Sequence, residues 1–212
     1  MIAHQASLFS VPSTPLLPEG FRYCPDALTA HHETRLLAQI PGLPFKEFQF
    51  HGFEGKRRVV SFGWRYDFSE QKALPADPIP AFLLDVCETI QAATGFVFRD
   101  LAQVLVTEYA PGAPIGWHKD RPFFEDVMGL SLASPCNFRL RKALPTGKWQ
   151  RTSLRLEPRS AYFLSGPARR EWEHSIPPVE QLRYSLTFRN LRQAGLQNRP
   201  DRPTIGHELS GA

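Results

Sequence analysis

A mainly β chain of the α+β class, built as a sandwich or double-sheet jelly roll with helices near its N-terminus, is what this sequence predicts. Three observations lead there. From residue 96 onward, short apolar runs are separated by Pro, Gly and charged turns, the spacing of a sandwich or jelly roll. Helical periodicity is confined to two segments before residue 95. Twenty prolines, which lack an amide hydrogen and break helix interiors, favour short strands over a helical bundle. With 212 residues, 42% hydrophobic content and 16 phenylalanines, the chain can bury one core.

Residues 1–19, rich in Ser, Pro and Leu without a period, read as a tail laid on the surface. Asp26 offers an N-cap for a helix over Ala27–Gln39, whose stripe is Leu28, Leu36, Leu37 and Ile40; Pro41-Gly42 stops it. Residues 45–68 mix alternating aromatics with Lys56-Arg57-Arg58 and predict two strands joined by a glycine-containing basic loop. Interleaved aromatics and cations suit stacking on bases and pairing with phosphates. The plainer reading is that alternate phenylalanines face the core and the arginines are solvated. Pro78–Thr94 carries a second amphipathic helix, ended by Gly95. Strands are then expected at Phe96–Ala110, Val127–Leu132, Cys136–Arg141, Ser153–Leu156, Ala161–Leu164 and Arg183–Arg189, before a polar tail over 193–212. No internal repeat is present, so residues 20–192 read as one domain.

Charge and cysteine usage narrow the class. A net charge of +4 and a pI near 9.1 are compatible with a polyanionic partner but do not require one. Cys24, Cys87 and Cys136 are odd in number and far apart, which rules out a disulfide framework or a CxxC metal site. The N-terminus lacks a basic region followed by a long apolar stretch, and nothing later approaches a membrane span. These features predict a cytoplasmic protein without membrane attachment, and a monomer by default.

The chemistry concentrates at Thr107-Glu-Tyr-Ala-Pro-Gly-Ala-Pro-Ile-Gly-Trp-His-Lys-Asp120. His118 and Asp120 stand two apart at the end of a strand-like run, where i and i+2 share a face, so imidazole and carboxylate would converge. His174 offers a third ligand. Two histidines and a carboxylate leave coordination positions open, the facial set suited to non-haem Fe(II) and O₂. Arg183 and Arg189, six apart on one predicted strand, share a face and suit bidentate binding of carboxylates. A dicarboxylate such as 2-oxoglutarate needs one cation near the metal and another further off. The alternative is that both arginines face solvent on an outer strand.

In this combination the sequence resembles the AlkB-like Fe(II)- and 2-oxoglutarate-dependent dioxygenases. The resemblance rests on Tyr109-Ala-Pro-Gly-Ala, His118-Lys-Asp120, Ser131-Leu, His174 and Arg183-Tyr-Ser-Leu-Thr-Phe-Arg189, and extends more weakly over residues 20–192. It implies a double-stranded β-helix, or jelly-roll, over about residues 96–192, with Fe(II) in its mouth and a substrate-recognition lid over about 45–68. His118, Asp120 and His174 would hold the iron. Tyr109 and Arg183 would hold the distal carboxylate of 2-oxoglutarate, Arg189 the carboxylate beside its keto group, and Thr107 and Ser185 would lie near the cosubstrate. Phe53, Arg57, Trp64 and Tyr66 match the nucleotide-recognition lid. The implied reaction is oxidative demethylation or dealkylation of N-alkylated bases in DNA or RNA, releasing an aldehyde, succinate and CO₂.

Three departures bear on the substrate. Base-repair members commonly carry asparagine where this chain has Thr107 and Ser185, and a hydroxyl offers fewer hydrogen bonds than an amide. They usually place a carboxylate two residues beyond the metal aspartate, where this chain has Pro122. An oxygenase acting on a protein side chain or a small molecule is therefore the alternative, with a non-catalytic metal-binding module behind it. The arginine pair argues against that last reading, because a purely structural metal site has no use for it.

Overall fold

The structure is a computed structural model describing residues 17–50, 53–67 and 72–192; for 48–50, 53–56, 66–67 and 72–73 it describes the backbone alone. The tail expected before residue 17 and the polar tail after 192 lie outside the described residues. The first elements are β1 (Phe21–Cys24), α1 (Ala30–Gln39), β2 (Lys46–Phe50), β3 (Phe53–Phe62), β4 (Trp64–Asp67), β5 (Lys72–Pro75) and α2 (Ala81–Thr94). After them come β6 (Leu101–Tyr109), β7 (Ile115–His118), β8 (Phe124–Leu132), β9 (Cys136–Ala143), β10 (Trp149–Leu156), β11 (Ala161–Leu164), α3 (Gly166–Arg170), β12 (Glu173–Ile176) and β13 (Arg183–Leu191).

Eleven of these strands form two antiparallel sheets. The larger runs β1-β11-β8-β13-β6-β3-β2 and the smaller β10-β9-β12-β7, while β4 and β5 pair with each other. One apolar cluster fills the space between the sheets, with Tyr109, Val127, Tyr162 and Leu164 from the large one and Cys136, Phe138 and Leu140 from the small one. A second joins the far face of the large sheet to Leu36 of α1 and Leu83, Val86 and Ile90 of α2. This is the double-stranded β-helix, with α1 and α2 on the outside.

The central strand explains the layering. Along β13 every residue from Arg183 to Arg189 is buried, yet the side chains alternate. Tyr184, Leu186 and Phe188 join the helix-side cluster, so Arg183, Ser185, Thr187 and Arg189 point between the sheets. Strand β6 alternates likewise, with Val104 and Val106 toward the helices and Gln103, Thr107 and Tyr109 on the opposite face. A hydrophilic stripe therefore runs along the inner face of the large sheet.

Several boundaries differ from those expected. Helix α1 is capped by Thr29, whose hydroxyl accepts from the His32 amide at 3.2 Å, and not by Asp26, which sits at φ +51. Residues 96–100 are not strand. Phe96 and Phe98 pack against Phe163 at 5.4 and 6.3 Å, and the Phe98 amide donates to the Gln91 side chain, so this stretch crosses the end of α2 before β6 begins. The basic cluster lies inside β3 and not in a loop, because cross-strand partners claim it: Arg57 faces Tyr109, and Arg58 forks onto Glu108 at 2.7 and 2.9 Å. Strands β2 and β3 are accordingly part of the large sheet. Among the described residues the three cysteines are unpaired, and no helix is long and apolar enough to cross a membrane.

Candidate active site

A cavity of about 1590 Å³ opens between the sheets and gathers most of the residues singled out above. Thr107, Tyr109, His118, Asp120, His174, Ser185, Arg189 and Arg57 all line it. His118 and His174 are direct cross-strand partners on β7 and β12, with ring centroids 4.2 Å apart. The ring of Phe138 stacks on His174 from below at 5.2 Å. His118 uses Nδ1 against the Gly116 carbonyl at 2.8 Å, and since a carbonyl only accepts, Nδ1 carries the proton and Nε2 keeps a free lone pair.

Asp120 reaches the site by a different route from the one expected. Strand β7 ends at His118, so shared strand parity does not aim Asp120. Arg189 does, donating from Nε at 2.9 Å and Nη2 at 2.6 Å to Asp120 Oδ1. The other oxygen, Oδ2, lies 3.7 Å from His174 Nε2. Burial opposes the charged form of Asp120, but the Arg189 guanidinium, helped by His174, Arg169 and His118, holds the carboxyl well below its usual range. Burial pushes His174 down to about 3 and lowers His118 as well, so both imidazoles are neutral at pH 7. Side by side as they are, the three side chains are not drawn to one point: among the described residues no group of three His, Cys, Asp or Glu is arranged to hold a metal ion as it stands.

The sequence matches the family model of the 2OG-Fe(II) oxygenase superfamily over residues 22–189. The chain belongs to that superfamily. An Arabidopsis thaliana relative named as an alkylated DNA repair protein, ALKBH8 homolog, is 29% identical over 201 residues, which cover 82% of this chain and 56% of that protein. The chain thus spans little more than half the length of this relative. Among solved structures, OsALKBH1 superposes with a TM-score of 0.66 at 16% identity, covering 82% of this chain and 98% of its own. A Trichoplax adhaerens prolyl hydroxylase, in complex with a peptide fragment of hypoxia inducible factor, superposes at 0.59 with 14% identity and covers 86% and 88%. Members of that superfamily use Fe(II), 2-oxoglutarate and O₂, and the fold of the chain is the one these solved structures share.

The residues of this 2OG-Fe(II) oxygenase fit those groups. The donor set offers two neutral imidazoles and a charged carboxylate, which are the protonation states that a divalent cation requires. Deeper in, Arg183 is fully buried against the Tyr109 ring, its guanidinium carbon 5.0 Å from the ring centre. Its Nε donates to Ser131 Oγ at 3.3 Å, while Nη1 is buried with no acceptor. An orphaned guanidinium N–H inside a protein is costly, and a carboxylate is the kind of group that would satisfy it. Neither arginine of β13 faces solvent. Ser185 pairs across to both Thr107 and Ser131, which sets three hydroxyls side by side in the sheet.

Other expectations fare differently. Arg57 stands in the row Arg57–Tyr109–Arg183 across β3, β6 and β13 and lines the cavity. The Trp64 carbonyl reaches the site through Gln103, but its indole is not among the residues lining the cavity. The side chains of Phe53 and Tyr66 lie outside the described residues. Trp117 packs against Arg139 and Arg141 at 5.1 and 4.4 Å on the outer side of the small sheet, and it also reaches the rim of the cavity. The sequence reading missed Gln103, Phe124 and Phe138. Gln103 stood in an alternating run, but its place opposite Arg189 comes from a strand pairing that no local pattern encodes.

Proposed function

We propose that this oxygenase removes N-alkyl groups oxidatively from nucleic-acid bases, with His118, Asp120 and His174 as the iron ligands. The observation that carries the substrate class is the charge around the cavity. Lys46, Arg57, Arg65, Lys119 and Arg121 line it, against Glu47 and Asp77 besides the Arg189-paired Asp120. At about 1590 Å³ the space exceeds the roughly 300–1,000 Å³ of ordinary small-ligand pockets, which favours one unit of a polyanion over a free metabolite. The name of the Arabidopsis relative, an alkylated DNA repair protein, supports the same class.

In this reading Fe(II), with 2-oxoglutarate and O₂, supplies the oxidising power for C–H hydroxylation. The chain supplies position and dryness. Arg189 occupies Asp120 Oδ1 twice over, so Oδ2 is the oxygen left to face a cation. Gly116 fixes the His118 tautomer and Phe138 the plane of His174. Tyr109 and Arg183 receive the distal carboxylate of the cosubstrate, with Thr107 and Ser185 beside it. Apolar walls from Phe124, Phe138, Tyr162 and Ile176 exclude water around the reacting centre. Hydroxylation of an N-methyl carbon leaves a carbinolamine that falls apart to formaldehyde and the free amine.

The test is mass spectrometry of single- and double-stranded DNA and RNA oligonucleotides, each with one N-methyl or etheno lesion, incubated with protein, Fe(II) and 2-oxoglutarate beside an Asp120→Ala control. Enzyme-dependent loss of one adduct is the expected result; an unchanged panel with continued succinate formation overturns the substrate class. A protein side chain is the second reading. It is favoured by the exposed Pro122, where base-repair members carry a carboxylate, and by the likeness to a prolyl hydroxylase fold.

A further inference from the structure

Gln103 stands at the middle of β6 with 3% of its surface exposed and is not one of the residues the family resemblance carries over. Its orientation is fixed by chemistry. Arg189 Nη1 donates to Gln103 Oε1 at 2.8 Å, and a guanidinium can only donate, so the amide oxygen faces Arg189. The amide nitrogen therefore points the other way, giving one hydrogen to Ser61 Oγ at 2.9 Å and one to the Trp64 carbonyl at 2.7 Å. Both its hydrogens and its oxygen are used.

The two ends of this side chain belong to different parts of the site. On one side, Arg189 is the group that fixes Asp120. On the other, Trp64 begins β4, which together with β5 leaves the large sheet and presents Arg65, Pro75 and nearby Ala76 and Asp77 to the cavity. The departure is sharp. Gly63 has φ +77, a Cβ there would fall 2.2 Å from the Ala102 carbonyl, and its amide and carbonyl are tied to Asp77 and Ala76. With no side chain at Gly63 to pack, Gln103 supplies a side-chain link between β6 and the root of this pair.

The geometry points to Gln103 as a positioning residue that couples the cosubstrate's arginine to the substrate-facing β4–β5 pair, so that filling the 2-oxoglutarate site steadies the root of that pair. The path is a contiguous set of hydrogen bonds, from Asp120 through Arg189 and Gln103 to Ser61 and Trp64, in a buried setting where leaving one member unpaired is costly. The inference rests on the proposed oxygenase reading and on Arg189 holding a carboxylate of 2-oxoglutarate, the role the family resemblance implies for it.

Two equilibrium readouts test it without turnover: calorimetric binding of 2-oxoglutarate to the Mn(II)-loaded protein, and amide hydrogen exchange of residues 64–67 and 72–75 with and without 2-oxoglutarate. In the wild type the cosubstrate should slow exchange in both strands. Gln103→Leu removes both ends of the relay; it should weaken 2-oxoglutarate binding roughly tenfold, the size of one lost charge-assisted hydrogen bond, and abolish the slowing. Gln103→Glu keeps the acceptor for Arg189 but loses both donors; it should bind within about threefold of wild type while the slowing still disappears. It also decides the matter if the leucine variant does not fold. Binding within twofold for Gln103→Leu, or an exchange response in either variant equal to wild type, overturns the coupling. An Arg189→Met protein that binds 2-oxoglutarate as wild type does would instead overturn the assignment of Arg189 on which the coupling rests.

Discussion

Asp120 and Arg189 form a pair whose partners are both almost wholly enclosed, with side-chain exposures of 5% and 11%. Deleting one member of such a pair strands the other's charge. Asp120→Ala should therefore cost about 3–5 kcal/mol in denaturant unfolding of the metal-free protein, besides ending succinate formation. Asp120→Asn keeps an oxygen for Arg189 and should lose activity with a smaller loss of stability. Glu108 makes a second pair on the opposite face of β6. The hydrogen bonds from Arg58 hold its carboxyl below the usual range, against the opposing effect of burial and with help from Tyr184. A depressed carboxyl pKa means that the unfolded chain binds protons first. The contribution is therefore whole above the unfolded value of about 4.3 and is lost as pH falls through the lower folded value. Glu108→Gln should flatten the acid limb of a stability-versus-pH curve and leave the neutral region shifted down but level.

At the scale of elements, α1 tests the correction to its start. Thr29→Ala should cost about 1 kcal/mol through the lost cap, whereas Asp26→Asn, which suits φ +51 equally well and gives up only the charge of an exposed 3.4 Å contact with Arg159, should cost little by thermal melting. Strand β8 carries a tighter constraint. A Cβ on Gly129 would lie 2.1 Å from the Tyr162 ring, which packs on Phe138 at 4.9 Å, so Gly129→Ala must push a wall of the cavity inward. About 1–3 kcal/mol of destabilisation, with weaker 2-oxoglutarate binding in the same protein, is the expected result. Which strands form was legible because β13 and β6 alternate by twos. What that alternation meant was not: Arg183, Ser185, Thr187 and Arg189 read equally well as a solvated face, and only the second sheet turns that face inward. His118 and His174 were legible as candidates, while their pairing as neighbours needed β7 and β12 to meet, a contact 56 residues apart that no local pattern encodes. Gln103 was illegible for the same reason.

For the whole molecule, the basic residues gathered around one opening matter more than the net charge of +4, which by itself decides little. If the substrate is a polynucleotide, each phosphate contact releases counterions, so binding of an oligonucleotide should fall steeply between 50 and 200 mM salt. Replacing Lys119 by alanine should reduce the slope of log affinity against log salt by roughly one, measured by fluorescence anisotropy. A flat salt dependence would direct the search toward uncharged or peptide substrates. The order of strands has one more consequence. The strand that carries both inward arginines is the last described strand in the chain, yet it is the middle one of the seven-stranded sheet, seated between β6 and β8. During synthesis the two halves of that sheet emerge with a gap between them, and the pocket has no floor until residues 183–191 arrive. His118 thus emerges 65 residues ahead of Arg183 and His174 only nine, so both histidines are displayed before β13 can enclose anything between them. Readiness to enclose a metal is in this way tied to the arrival of β13.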